Sequence, residues 1–190
     1  MVSPRRVALY GGSFDPPHNG HVLLATWVLS RANPPVDALW LLPAAGHAFG
    51  KALTPFETRV AMLERAFSHL GPRVRVEPIE QTLPTPSYTV DTVRALLTQH
   101  PHTEFSLIMG SDAYASRERW KEWTTLESLL GGRILVIGRE GSPSDGPPPA
   151  ITLPDFSSTA VRKAVHDQSP YWWMVPEAVQ HLIESEGLYQ

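Results

Sequence analysis

Short apolar runs alternate along the chain with longer segments in which apolar residues recur every three or four positions. The runs predict strands at residues 6–10, 38–42, 74–77, 104–109 and 133–137, with a weaker one at 150–153. The run Ile134-Leu-Val-Ile137 does not alternate with polar residues, as expected for a strand buried on both faces. Strands that alternate with helices predict an α/β fold with a parallel sheet and helices on both of its faces.

The segments with helical periodicity carry start and stop signals. A first helix ends near Ser30, and others are predicted at about 54–69, 87–99, 125–130, 158–166 and 176–185. Thr54-Pro-Phe-Glu57 combines an N-cap threonine, an N1 proline and a glutamate three residues after the threonine, which predicts a capping box. Four tryptophans are expected to pack in the core: Trp27, Trp40, Trp172 and Trp173.

Composition narrows the class of protein. A chain of 190 residues can bury a full core, so a single domain over residues 1–190 is expected. The absence of cysteine excludes a disulfide framework and a thiolate metal site. No signal-peptide core or run of eighteen apolar residues occurs, which predicts a cytoplasmic protein without a membrane partner. A net charge of −3 gives no general attraction to nucleic acid, so any phosphate must be bound by a local cluster.

Such a cluster follows the first predicted strand. Residues 11–22 read as a glycine turn that leads from a strand into a helix. Glycine lets the backbone approach a phosphate, and the N-terminus of a helix offers unpaired N–H groups. His18 and His21 are three residues apart, so on a helix they share a face and can point at one anion. We therefore expect an anion site at this junction.

Polar clusters also follow the other predicted strands. In open α/β sheets, ligands bind outside the carboxyl ends of the strands, so these clusters are expected to share one site. They lie at residues 11–21, 44–51, 84–92, 110–112, 138–139 and 157–159, the last followed by Arg162. Asp112 has an alternative interpretation as a helix N-cap, and residues 157–159 are expected to cap a helix in any case.

Two of these clusters carry a family resemblance. Gly11-Gly-Ser-Phe-Asp-Pro-Pro-His-Asn-Gly-His21 resembles the GG(T/S)FDPxHxGH signature of the nucleotidyltransferase superfamily, and Ser157-Ser-Thr-Ala-Val-Arg162 is similar to its SSTxxR signature. With Ser87-Tyr-Thr-Val-Asp-Thr92, Gly110-Ser-Asp112 and Trp120, the chain most resembles the bacterial nicotinate-nucleotide adenylyltransferases. The resemblance implies a Rossmann-like doubly wound fold, ATP as co-substrate, Mg²⁺, and a step in NAD biosynthesis.

Position and resemblance together assign the site residues. Three are expected to be catalytic: His18, His21 and Arg162. Ten are expected to bind ATP: Gly11, Gly12, Ser13, Phe14, Lys51, Gly110, Asp112, Arg139, Ser158 and Thr159. Four are expected to bind the acceptor: Ser87, Tyr88, Thr89 and Trp120. No residue is assigned to a metal, the expected partners are small-molecule nucleotides, and homo-oligomerisation is left open.

These residues suit phosphoryl-group transfer without a covalent intermediate. The acceptor phosphate is already an anion, so two polyanions must be held together and the developing charge neutralised by histidines, an arginine and a helix N-terminus. Sibling transferases using nicotinamide mononucleotide, phosphopantetheine or a CTP-dependent alcohol phosphate are alternatives, as is a nucleotide sensor. A fragment related to class I aminoacyl-tRNA synthetases is disfavoured by the short chain and by the lack of a basic face.

The chain departs from the family pattern at two places. The family often has Pro-Pro-His-Lys/Arg after its second strand, where this sequence reads Gly46-His-Ala-Phe-Gly-Lys51. Phe156 precedes the serines where a β-branched aliphatic residue is usual.

Overall fold

The computed structural model describes residues 5–46, 53–141 and 148–190. Their strands form one parallel sheet in the order β3-β2-β1-β4-β5-β6. The strands are β1 (Arg5–Gly12), β2 (Ala38–Pro43), β3 (Val74–Val76), β4 (Thr103–Gly110), β5 (Ile134–Arg139) and β6 (Thr152–Leu153). The helices are α1 (Asn19–Arg31), α2 (Phe56–Phe67), α3 (Thr89–Gln99), α4 (Ser111–Ala115), α5 (Trp123–Leu129), α6 (Ser158–His166) and α7 (Glu177–Ser185).

The strand order reverses beside β1, which pairs with β2 on one side and β4 on the other. Val7 lies opposite Ala38 in β2 and opposite Phe105 in β4. From β1 the chain proceeds through β2 to β3, then crosses back to β4 and continues outward to β6. Such a reversal opens a crevice at the carboxyl ends of the strands, where doubly wound folds bind ligands.

Side chains of β1 alternate between two apolar cores. Ala8 packs on one face of the sheet with apolar residues of α1, α2, α6 and α7. Val7 and Leu9 pack on the other face with residues of α3 and α5. Both faces of the central strand are therefore covered, which confirms the predicted doubly wound α/β fold. Among the described residues, no helix is both long and apolar enough to cross a membrane.

The predicted strands are all present, whereas some helix starts differ. The prediction of a capping box at Thr54 is wrong, because α2 begins at Phe56, its N-cap residue is Pro55, and no side chain caps it. The Thr54 amide instead donates to the Asp15 carboxylate. The short helix α4 was not predicted, and the helix expected from residue 87 begins at Thr89.

Two of the four tryptophans expected in the core lie at the surface. Trp172 and Trp173 remain 59% and 58% exposed, whereas Trp40 is buried and Trp27 packs against the core as a half-buried side chain. The next two residues, Met174 and Val175, fill the core position instead. Because neighbouring residues cannot all face inward, the two larger side chains point outward.

Candidate active site

A cavity of about 420 Å³ lies at the carboxyl edge of the sheet, at the crevice beside β1. It is lined by the loop after β1, the start of α1, the ends of β4 and β5, and the start of α6. Twelve residues assigned from the sequence line it: Gly11, Gly12, Ser13, Phe14, His18, His21, Gly110, Asp112, Arg139, Ser158, Thr159 and Arg162. Residues separated by up to 151 positions in the sequence therefore share one wall.

The turn after β1 places the ring of Phe14 directly beside Gly12. Phe14 has a φ of 49°, in the left-handed region that bulky residues rarely adopt, and its side chain is buried. Its ring contacts the rings of Tyr10 and His21 edge-on, at centroid distances of 5.4 and 5.0 Å. A Cβ at Gly12 would meet the Phe14 ring at 3.2 Å. A side chain at Gly12 would therefore press against this ring, which would have to shift by a few tenths of an ångström.

The two histidines form one unit at the start of α1. His18 is the N-cap residue, and its ring stacks on that of His21 with centroids 3.6 Å apart. The His18 backbone N–H donates to Nδ1 of His21 over 3.0 Å. A neutral imidazole that accepts at Nδ1 carries its proton on Nε2. His21 is thereby prepared as an Nε2–H donor.

Burial keeps both rings neutral. Burial, with the positive charge of Arg139 as a second cause, lowers the pKa of His18 to about 4. The pKa of His21 lies well below its ordinary value, chiefly through burial and further through His18 and Arg139. Nδ1 of His18 is buried without a hydrogen-bond partner among the described residues. In this state the pair supplies neutral imidazole groups rather than two cations.

The carbonyl groups of the loop are held by donors from distant parts of the chain. The Ser13 carbonyl accepts from Nη1 of Arg59 over 2.8 Å, and the Pro16 carbonyl accepts from the Ser158 hydroxyl over 2.8 Å. Nη1 of Arg162 donates to the Asp15 carbonyl, while its Nη2 lies 3.2 Å from Oγ1 of Thr159. Ser158 and Arg162 therefore fix the loop as well as lining the cavity.

The N-terminus of α6 faces the same cavity. Ser157 caps the helix, with its Oγ accepting from the amide of Ala160 over 3.1 Å, as the sequence predicted. Ser157, Ser158 and Thr159 all line the cavity. The positive end of the α6 dipole thus adds to the charges of Arg139 and Arg162. Together these groups make this end of the cavity suitable for a polyanion.

Asp112 is not a helix cap. The N-cap of α4 is Gly110, whose cap makes no side-chain hydrogen bond, and Asp112 lies exposed in the first turn. A Cβ at Gly110 would lie only 2.5 Å from Oδ1 of Asp112. The glycine therefore leaves room for the carboxylate beside the cavity, and the alternative interpretation of Asp112 as a cap is wrong.

The expected acceptor residues lie together but outside the wall of this cavity, as far as the described residues define it. Tyr88 is the N-cap of α3, and the ammonium of Lys121 lies 4.5 Å from the centre of its ring. Trp120, next to Lys121, is half-buried against Trp123. The Ser87 hydroxyl donates to Glu80 over 2.8 Å and is thus already engaged.

One ATP-binding assignment, Lys51, lies outside the described residues. Conversely, the cavity wall includes residues that the sequence did not assign, among them Tyr10, Ser111 and Phe156. Burial raises the pKa of the Tyr10 hydroxyl, so the phenol stays protonated. Tyr10 could have been assigned to the site from the sequence, because it directly precedes the first glycine of the turn.

Comparisons with known proteins agree with this architecture. A family model described as cytidylyltransferase-like matches residues 9–164. A protein of Anaeromyxobacter dehalogenans named probable nicotinate-nucleotide adenylyltransferase is 39% identical over 193 residues, covering 100% of both chains. The nicotinate-nucleotide adenylyltransferase of Bacillus subtilis is 31% identical, covering 98% of this chain and 99% of the relative.

Solved structures share the fold at lower sequence identity. The nicotinic acid mononucleotide adenylyltransferase of Plasmodium falciparum, complexed with NaAD, superposes with a TM-score of 0.80 at 18% identity. The match covers 97% of each chain. The same protein complexed with APC gives a TM-score of 0.81 at 19% identity.

Proposed function

This chain belongs to the nicotinate-nucleotide adenylyltransferase family, within the cytidylyltransferase-like proteins, and on that premise we propose that its cavity joins ATP to nicotinate mononucleotide. The products are nicotinate adenine dinucleotide and pyrophosphate, in a step of NAD biosynthesis. The observation that carries the proposal is the convergence of the neutral His18–His21 pair, two arginines and the N-terminus of α6 on one cavity.

The reaction needs no covalent intermediate. An oxygen of the acceptor phosphate attacks the α-phosphorus of ATP, and the bond from that phosphorus to the oxygen bridging to the β-phosphate breaks. Both electrons of that bond leave with pyrophosphate, so charge grows on the leaving oxygens. In our proposal the Nε2–H of His21, the guanidinium groups of Arg139 and Arg162, and the start of α6 stabilise this charge. Pre-arranged donors act without reorganising during the reaction.

Backbone contacts complete the ATP site in this proposal. Gly11, Gly12, Ser13 and Phe14 lie where their backbone can approach the nucleotide closely, and Thr159 lies in the first turn of α6. Gly110 and Asp112 line the wall at the end of β4. Lys51 stays a proposed phosphate contact on the basis of its sequence position alone.

Mg²⁺ fits this site as an ion carried by the nucleotide. Among the described residues, no group of three His, Cys, Asp or Glu side chains could hold a metal ion. Asp112 is the acidic side chain in the described part of the cavity wall. Mg²⁺ is commonly bound by one or two carboxylates together with substrate phosphates and water, and this donor set suits that mode. When bound, the ion would neutralise phosphate charge.

We place the acceptor at the start of α3. The backbone N–H groups of its first turn suit a carboxylate, with Thr89 nearest the helix start and Tyr88 as the N-cap. Trp120 would stack on the pyridine ring, and Lys121 brings positive charge to this region. Because a site built to bind a carboxylate leaves donors unpaired when an amide replaces it, nicotinate mononucleotide should be preferred over the nicotinamide form.

A panel of acceptors tests the proposed function. Turnover of MgATP is measured with nicotinate mononucleotide, nicotinamide mononucleotide, phosphopantetheine and alcohol phosphates, and CTP is tested as the alternative donor. We expect kcat/KM to be highest with ATP and nicotinate mononucleotide. Equal values for the two mononucleotides would contradict the proposed carboxylate site, and activity with phosphopantetheine alone would assign the chain a sibling activity.

We infer a single domain over residues 1–190 that works in the cytoplasm on small-molecule nucleotides, with neither nucleic acid nor membrane as partner. Light scattering of the purified protein at several concentrations measures whether it forms homo-oligomers.

A further inference from the structure

A buried arginine outside the cavity connects three segments of the active-site edge. Arg59, in α2, is 1% exposed. Its Nη1 donates to the Ser13 carbonyl over 2.8 Å, its Nη2 to the Ala44 carbonyl over 2.9 Å, and its Nε to the Thr54 carbonyl over 2.9 Å. These carbonyls belong to the turn after β1, the end of β2 and the approach to α2. One guanidinium therefore fixes the spacing of all three.

Burying the Arg59 guanidinium lowers the stability of the fold, so stability alone does not account for an arginine at this position. Removing a cation from water is unfavourable, and burial lowers the pKa of Arg59. Within the described part of the chain, no carboxylate lies within salt-bridge distance of the guanidinium. Three carbonyl oxygens accept its hydrogen bonds, and its Cζ lies 5.3 Å from the centre of the Phe56 ring. A methionine would fill similar space without a charge. What the guanidinium adds is a planar set of donors at fixed angles.

Asp15 completes the network from within the turn. Its side chain is 2% exposed, with Oδ1 accepting from the Tyr189 hydroxyl over 2.6 Å and Oδ2 lying 3.3 Å from the Thr54 amide. Thr54 is therefore bound by Asp15 at its N–H and by Arg59 at its carbonyl. Tyr189, 174 residues from Asp15, brings the segment after α7 onto the same turn.

The network holds the turn from outside the cavity. In the described structure Arg59, Asp15 and Tyr189 do not line the cavity, whereas Ser13 and Phe14, on the turn itself, do. The turn leads directly into His18, so its position sets where the His18–His21 pair begins.

We propose that Arg59, Asp15 and Tyr189 are positioning residues for adenylyl transfer, which hold the turn of residues 13–16 and thereby the histidine pair against the nucleotide phosphates. The inference rests on the proposed function of the cavity. Displacing reacting groups by about 1 Å can cost about 10²-fold in rate, so loosening this turn should lower turnover more than it weakens the fold.

Tyr189→Phe is the sharpest test, because it removes one hydroxyl and keeps the ring. We expect kcat with ATP and nicotinate mononucleotide to fall about 5- to 10-fold, with a smaller change in the KM for the acceptor. Tyr171→Phe is the matched control. Tyr171 is also a half-buried tyrosine whose hydroxyl lies near a carboxylate, that of Glu184, and it lies off the described cavity wall. Its kcat should stay within about two-fold of the unmodified protein.

Arg59→Met removes the donors at similar volume and should lower kcat by about 10- to 100-fold. Two measurements are independent of the acceptor: the Kd for MgATP by calorimetry and the ¹H–¹⁵N imidazole spectrum of His18 and His21. Tyr189→Phe should raise the Kd and shift the imidazole signals. These readouts separate failure of this inference from failure of the proposed acceptor, since they need no turnover.

A purely structural role gives a different pattern. If Tyr189→Phe lowers the Tm while kcat, the Kd for MgATP and the imidazole signals match those of Tyr171→Phe, the positioning role is overturned. The Tyr189 variant decides the matter even if Arg59→Met does not fold.

Discussion

The ring of His18 stacks on that of His21 at a centroid distance of 3.6 Å, with an angle of 17° between the planes. Two imidazolium cations at this distance would repel each other, and burial already disfavours the charged form of each ring. The neutral pair accepts the His18 amide at Nδ1 of His21 and leaves its Nε2–H as a donor. In the mechanism we propose, the pair contributes a directed hydrogen bond rather than a positive charge.

Truncating His21 should remove that hydrogen bond. We expect His21→Ala to lower kcat by about 10²-fold or more at saturating ATP, as when one pre-arranged donor is lost. His21→Gln should retain more activity, because its amide nitrogen can reach the region of Nε2. His181→Ala, at an exposed histidine of α7, is the control and should turn over normally. A near-normal kcat for His21→Ala would leave His21 with a role in the turn only.

The stability of the protein should depend on pH through His18. Its pKa is about 4 in the folded state and about 6.5 in the unfolded state, so the unfolded chain binds more protons between these values. The free energy of unfolding should therefore fall as the pH drops from about 6.5 to about 4, by about 3 kcal/mol from this residue. Urea unfolding across this range should give a flatter profile for His18→Asn than for the unmodified protein. If the free energies of unfolding of the two proteins depend on pH in the same way, His18 does not cause the loss of stability at low pH.

Replacement of Asp112 separates ligand binding from helix capping. Because α4 has Gly110 as its N-cap and Asp112 is exposed, Asp112→Ala should change the free energy of unfolding by less than about 0.5 kcal/mol. The Kd for MgATP, measured by calorimetry, should change instead. A loss of about 1 kcal/mol in stability with an unchanged Kd is the signature of a cap and would reverse this interpretation.

Gly20 should not tolerate even a methyl group. Alanine is normally favoured over glycine within a helix by about 1 kcal/mol. A Cβ at Gly20, however, would lie 2.9 Å from Cβ of Phe156 and 3.1 Å from Nδ1 of His18. Gly20→Ala should therefore lower the Tm, since overpacking typically costs about 1–3 kcal/mol. Gly11→Ala, where nothing lies within 4 Å, should not lower it. A higher Tm for Gly20→Ala would mean that Phe156 moves aside.

Trp120→Ala tests the proposed acceptor position. Loss of a stacking interaction of about 1–3 kcal/mol should raise the KM for nicotinate mononucleotide by about 5- to 150-fold, while the KM for ATP stays unchanged. Trp172→Ala is the control, because that indole is exposed and lies off the described cavity wall. An unchanged acceptor KM for Trp120→Ala would remove the ring from the acceptor site.

The sequence predicted the strands, the fold class and half of the residues in the cavity wall. Those predictions succeed because apolar runs such as 38–42 are buried along their whole length, and because the carboxyl ends of parallel strands meet at one edge. The sequence also predicted that His18 and His21 lie together, although His18 is the extended N-cap residue of α1 rather than part of the helix. Their stacking and their neutrality could not be predicted, because both depend on how deeply the neighbouring segments bury the rings.

The features that could not be predicted from the sequence depend mostly on contacts between distant segments. Thr54 has the local pattern of a capping residue. Its N–H instead donates to the carboxylate of Asp15, 39 residues earlier, and its carbonyl accepts from Arg59 in α2. Nothing near Tyr189 in the sequence indicates a contact with Asp15, 174 residues away. Trp172 and Trp173 were expected in the core because their side chains are large and apolar, but Met174 and Val175 occupy the core there.

The turn after β1 is supported by donors that lie 46, 142 and 147 residues away, in Arg59, Ser158 and Arg162. Contacts between such distant segments close large loops of chain, which slows their formation during folding. We therefore expect this edge of the cavity to form late in folding, after α6 has docked on the sheet. A nascent chain released before α6 is synthesised would lack Ser158, Arg162 and Tyr189, three of the donors that hold this turn. In the function we propose, ATP binds the completed arrangement and therefore favours it over partly assembled precursors.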